Sequence, residues 1–169
     1  FDNTAYQYAY ELERLIRNFS LPHRLEFYTD KTPHGTDYAY FCADNGKLSV
    51  TVSDNDTVYK ESSDVCELSD YENELCRLLC RCMERHGHAP LPWGILTGVR
   101  PVKLLRRLAE GASEEQAVKK FEKDFFVSNE KIALSRETEH NERKILELSK
   151  PESFSLYVGI PFCLSLIHI

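Results

Sequence analysis

Tyr38-Ala39-Tyr40-Phe41-Cys42-Ala43-Asp44-Asn45-Gly46-Lys47-Leu48-Ser49-Val50-Thr51-Val52-Ser53 decides how the first half of the chain folds. Two runs with strand character, Tyr38–Cys42 and Lys47–Ser53, flank the turn cluster Asp44-Asn45-Gly46. Asn-Gly between such runs is a hairpin signal, because the favoured tight turn needs a left-handed backbone at both central positions. Leu25–Tyr28 before this stretch and Thr57–Lys60 after it read as further strands. The turn clusters Thr32-Pro33-His34-Gly35 and Asp54-Asn55-Asp56 set them off, so a small meander is expected.

Helices are expected on both sides of the meander. Asn3 or Thr4 can cap a first helix to about Asn18, with Ala5, Ala9, Leu12, Leu15, Ile16 and Phe19 as one apolar stripe and Pro22 as the exit. Ser69 and Glu72 have the spacing of a capping box and open a second helix to His86, with Gly87 as its left-handed stop. Residues 1–90 therefore read as an α+β accessory domain. Ala89-Pro90-Leu91-Pro92-Trp93-Gly94 follows as a stiff connector. Pro101 suits the first turn of a helix ending near Glu110, with Gly111 after it. Ser113 and Gln116 form another capping box for a helix to about Asp124, and Ser128 caps a long charged helix that ends before Pro151. Residues 91–150 are thus expected to be a helical connecting segment.

Composition narrows the function classes. The 169 residues are 42% apolar and 28% charged, enough to fold, with a formal net charge of −6. That acidity offers no broad cationic surface for phosphates, so no nucleic-acid partner is expected. No run approaches the roughly 18 apolar residues of a membrane helix, and Phe1 to Tyr10 lack the pattern of a secretory signal. A cytoplasmic chain is expected. In a reducing compartment the six cysteines, Cys42, Cys66, Cys76, Cys80, Cys82 and Cys163, are core residues, metal ligands or redox groups rather than disulfides.

Ser155-Leu156-Tyr157-Val158-Gly159-Ile160 is the clearest strand of the second half, with Leu156, Val158 and Ile160 on one face. Pro161 ends its pairing, and Phe162-Cys163 lies just beyond. Leu156 to Cys163 resembles the lead-in to the cluster loop of radical S-adenosylmethionine enzymes. The likeness is to the oxygen-independent coproporphyrinogen oxidase group, in which a strand reading Y-V-x-I-P-F-C continues into C-x3-C-x2-C. Pro92-Trp93-Gly94-Ile95-Leu96-Thr97-Gly98-Val99-Arg100-Pro101 resembles the segment upstream of the barrel in the HemZ-type branch of that group. The long region before the barrel strand fits that branch too.

The resemblance implies an α+β N-terminal domain, then a three-helix segment, then the first strand of a truncated radical S-adenosylmethionine α/β barrel at 155–163. It implies a 4Fe–4S cluster with Cys163 as the first of three ligands, and S-adenosylmethionine with Tyr157 beside it. The implied reaction is oxidative decarboxylation of coproporphyrinogen III to protoporphyrinogen IX in heme biosynthesis, driven by a 5′-deoxyadenosyl radical and fed by an electron donor. Sites of such barrels sit at the C-terminal ends of the strands, where Cys163 falls.

The sequence departs from the group at two places. Gly159 stands where the classical members carry His, which leaves another substrate open, such as a nucleic acid. Ile167 stands where the second ligand cysteine is expected. Leu164-Ser165-Leu166-Ile167-His168-Ile169 has no counterpart in the group and is what CTGTCTCTTATACACATC encodes, a sequence resembling a transposon end. These six residues are expected to be a non-native tail, and the chain as it stands is expected to be inactive. A non-enzymatic interaction module, with 1–90 as a docking domain, is the alternative from another class.

Other residues invite functional readings. Cys76 and Cys80 lie about 40° apart around a helix, whereas Cys82 lies about 160° from Cys80, so the three do not converge on one zinc ion. Cys76, Cys80, Cys42 and Cys66 are read as core residues. Arg100, Lys103 and Arg107 form a cationic stripe whose plain reading is a solvated helix face. Trp93 and Ile95 read as anchors that dock the helical segment, and His23, His34 and His140 receive no role.

Overall fold

The computed structural model describes residues 5–19, 37–44, 46–54, 57–65, 67–154 and 156–159. Three strands form an antiparallel meander in the order β1 (Tyr38–Asp44), β2 (Lys47–Asp54) and β3 (Thr57–Asp64). The hairpin register pairs Phe41 with Val50 and Ala43 with Leu48, and Gly46 takes the left-handed φ of +83° that the turn requires. The expected strand Leu25–Tyr28 lies outside the described residues. β3 runs four residues past its expected end, because Glu61 to Asp64 continue the ladder against Lys47 to Val50.

Alternation along the strands puts Phe41, Ala43, Leu48, Val50 and Val52 in the core. Cys42 falls on the opposite face of β1 and is only half-buried, which corrects its reading as a core residue. Cys66 lies outside the described residues.

Two helices cover the inner face. A 3-10 turn over Ala5–Tyr8 leads into α1 (Ala9–Asn18), where a single α-helix was expected. Such turns commonly tighten helix starts, and Tyr8, at φ −101° and ψ 9°, lies outside helical geometry. Ala5, Leu12, Leu15, Ile16 and Phe19 are buried as the apolar stripe demands. α2 (Tyr71–Arg85) lies against β2 and β3 with α1 beside it, and buries Leu75, Leu78 and Leu79 completely. The Ser69–Glu72 capping box does not form. A 3-10 turn over Leu68–Asp70 delays the helix to Tyr71, and the Ser69 hydroxyl donates to the Glu67 carboxylate at 3.5 Å. Gly87 stops the helix at φ +87°.

The second half is helical: α3 (Pro101–Glu110), α4 (Glu114–Lys123) and α5 (Asn129–Glu147). Here the capping box closes in both directions. The Gln116 amide donates to the Ser113 hydroxyl at 3.2 Å, and the Ser113 amide donates to the Gln116 side chain at 3.1 Å. Ser128 caps α5 by accepting from the Lys131 amide at 3.4 Å. Leu105, Ala117, Phe121, Val127 and Ile132 make a second, smaller apolar cluster. Among the described residues, no helix is long and apolar enough to cross a membrane.

Candidate functional site

The segment 91–100 joins the two apolar clusters by packing rather than by slack chain. Leu91 and Ile95 enter the first cluster, and Trp93 and Leu96 pack on the second. The Ile95 amide donates to the Phe125 carbonyl at 2.9 Å, and the Ser128 amide donates to the Pro92 carbonyl at 3.0 Å. Gly94 sits at φ +55°, where a Cβ would lie 1.9 Å from the Phe125 carbonyl oxygen, so only glycine fits. Phe126 opposite also has a positive φ, +57°, uncommon for a bulky residue. Arg77 on α2 ties the same corner, pairing with Glu74 at 2.6 Å and donating to the Asp124 carbonyl at 3.0 Å. The Arg77–Asp124 tie was not legible beforehand, because the residues are far apart in sequence and nothing local pairs them.

The far end of the segment meets α1. The Arg14 guanidinium lies over Gly98, 2.6 Å from where a Cβ would stand. Arg14 donates to the Tyr10 hydroxyl at 3.2 Å and rests over the Tyr10 ring. α3 begins three residues after Gly98, with Arg100 as its N-terminal flank and Pro101 in its first turn, without a side-chain cap. Arg100, Lys103 and Arg107 are exposed, as a solvated face requires. Arg106, between them, turns to α5 and pairs with Glu139 at 3.3 Å and Glu142 at 2.7 Å. Burial alone would raise the Glu139 carboxyl, but hydrogen bonds from Arg143 and Arg106 outweigh it and hold it below the usual carboxylate value.

The α2 thiols are poor metal ligands. Burial raises all three, Cys80 to about 12 and Cys82 to about 11, so they stay protonated at neutral pH. The Cys82 thiol faces the sheet and donates to the Val50 carbonyl at 3.5 Å. Sequence reasoning left Cys82 without a place, and the structure makes it a fully buried core residue of the sheet interface. Among the described residues, no three His, Cys, Asp or Glu side chains gather as a metal site.

Tyr157 is 91% exposed, and Leu156 and Val158 beside it are exposed too. Leu156–Gly159 carry no sheet pairing among the described residues, since no neighbouring strand supplies the backbone partners a ladder needs. Cys163, His23 and His34 lie outside the described residues, and His140 is exposed on α5. The structure does not bring Tyr157 together with the 91–100 segment in any described contact.

No protein-family model matches the chain, and no solved structure matches it. A curated relative does: the oxygen-independent coproporphyrinogen-III oxidase-like protein HemZ of Bacillus subtilis (strain 168), 36% identical over 95 residues. The match covers 54% of this chain and 19% of the relative, so the chain spans only a small part of the protein it resembles. Over those 95 residues the chain is similar in sequence to a HemZ-type, oxygen-independent coproporphyrinogen-III oxidase-like protein.

Proposed function

We propose that the polypeptide carrying these residues is a radical S-adenosylmethionine oxidoreductase of heme biosynthesis that oxidatively decarboxylates coproporphyrinogen III. The observation that carries this reading is the 36% identity with the HemZ protein over 95 residues. The strand motif ending at Cys163 supports it independently of fold. In this reading Cys163 is the first of three thiolate ligands to a 4Fe–4S cluster, Tyr157 lies beside S-adenosylmethionine, and an external donor delivers the electron. The described thiols do not fit the cluster: Cys76, Cys80 and Cys82 are protonated and Cys42 stands on another face. No step of the reaction is assigned to them.

The described residues then serve as scaffold. The first apolar cluster, the 91–100 segment and the three helices hold the chain that leads into Leu156. The 169-residue chain alone supplies one candidate ligand of three and is inactive in this reading, and the whole enzyme works in the cytoplasm.

The test uses the natural full-length polypeptide, reconstituted with iron and sulfide under anaerobic conditions. Given S-adenosylmethionine, a reductant and coproporphyrinogen III, it should form 5′-deoxyadenosine and release carbon dioxide. Cys163→Ala should abolish both along with the cluster absorbance. A cluster indifferent to Cys163, or no 5′-deoxyadenosine, overturns the reading. Gly159 favours a second reading, a radical enzyme acting on another substrate. Its mark would be 5′-deoxyadenosine formed without consumption of the porphyrinogen.

A further inference from the structure

Most of the arginines on this acidic chain are neutralised locally. Arg17, Arg77, Arg81, Arg85, Arg106, Arg136 and Arg143 each have a carboxylate within 4.0 Å. Among the described residues the remaining arginines, Arg14, Arg100 and Arg107, have none, and Lys103 between the last two has none either, like every described lysine except Lys131. These four are not scattered. Arg14 lies over Gly98, two residues before Arg100, and Lys103 and Arg107 continue along α3 one turn apart. From Arg100 to Arg107 the line extends about 10 Å. Two exposed apolar groups accompany the cations: the Tyr10 ring under the Arg14 guanidinium, and Val99, 63% and 48% exposed.

Unpaired cations strung beside exposed apolar surface match a ligand that is flat and apolar in its body and carboxylated at its rim. Guanidinium groups bind carboxylates through paired hydrogen bonds, and Arg14 is already steered by Tyr10. We infer that Tyr10, Arg14, Val99, Arg100, Lys103 and Arg107 form a docking surface for a polycarboxylated tetrapyrrole, engaging its propionates. The inference rests on the proposed function for the ligand's class. It adds that the accessory region, and not the catalytic barrel alone, handles the substrate.

The 169-residue chain tests it directly, with coproporphyrin III as the stable fluorescent probe and fluorescence anisotropy as the readout. The triple variant Arg100→Glu, Lys103→Glu, Arg107→Glu should bind at least about tenfold more weakly, as expected for losing charge-assisted hydrogen bonds. A charge-matched control, Arg17→Glu, Arg136→Glu, Arg143→Glu, alters exposed paired arginines and should stay within about twofold. The milder set Arg100→Gln, Lys103→Gln, Arg107→Gln should also weaken binding, which covers misfolding of the Glu variant. The tetramethyl ester of the probe, with the same ring and no charge, should bind poorly. No saturable binding by the unaltered chain, equal loss in stripe and control variants, or equal affinity for the ester each overturns the inference. Because this assay needs neither cluster nor turnover, its failure is separate from failure of the Cys163 test.

Discussion

Helices α2 and α5 are both long, and they are held in opposite ways. Of fifteen residues in α2, nine are buried; of nineteen in α5, two are. α2 has the sheet on one side and α1 and Ile95 packed in the same cluster, so even its cysteines and Glu74 are inside. α5 packs on α3 and α4, burying Ile132 and Ser135 in its first half, then runs out on ion pairs such as Arg106 with Glu139 and Glu142. Its last turns leave Ile145, Leu146 and Leu148 exposed. The difference teaches that apolar burial carries the first half of this molecule, while the second is held near the bridge and thins with distance from it. Surface ion pairs contribute only about 0–1 kcal/mol each, so they cannot replace that burial.

The contrast can be broken at its hinge. Gly94→Ala drives a Cβ into the Phe125 carbonyl at a left-handed position, and should cost about 3 kcal/mol or more. Denaturant unfolding followed by Trp93 fluorescence and by circular dichroism should then separate into two transitions. Coincident curves at undiminished stability would contradict the wedge geometry. Next in size, Leu78→Ala on α2 should cost about 2–5 kcal/mol, whereas Leu146→Ala on α5 should stay within about 0.5 kcal/mol. Equal losses in the two melts would erase the distinction.

The α2 thiols give the comparison a pH dependence. Burial raises them in the folded chain, from an ordinary value of 9.0 to about 11 for Cys82 and about 12 for Cys80. Below the ordinary value both states are protonated and the stability is intact. As pH climbs past it, the unfolded chain ionises first and stability falls until the folded thiols ionise too. Urea midpoints should therefore decline above about pH 9, and Cys80→Ala with Cys82→Ala should flatten that decline. Near neutral pH the same thiols should resist alkylation until the chain is unfolded.

Two capping tests are finer. Ser113→Ala should cost about 1 kcal/mol, since both halves of its box are formed, while Ser69→Ala should cost almost nothing. Smallest, Ser135→Ala should be neutral or slightly stabilising. Its hydroxyl is buried without a partner among the described residues, so removing it relieves a desolvation cost.

Ser113 and Ser69 also mark where sequence is a sound guide and where it is not. Ser113 and Gln116 act within one turn, and local spacing suffices to read them. The bounds of α3, α4 and α5 are similarly legible from Pro101, Gly111 and Ser128. Ser69 and Glu72 have the same spacing, yet the 3-10 turn at Leu68–Asp70 moves the helix start past Ser69, to Tyr71. Cys42 was misread because burial there depends on which face β1 turns inward, a choice set by Phe41 and Ala43. The candidate site was legible only as motif. Tyr157 and Cys163 are recognisable from their neighbours in sequence, whereas the meeting of Arg14 with Gly98 depends on the tertiary path of 91–100.

That path bears on how such proteins can be recombined. Residues 91–96 contribute Leu91 and Ile95 to one core and Trp93 and Leu96 to the other, with Phe125 reaching both. A chimera joined at residue 90 would import a foreign key into a lock cut for Ile95. The accessory unit and the helices after it are therefore exchangeable only as one block.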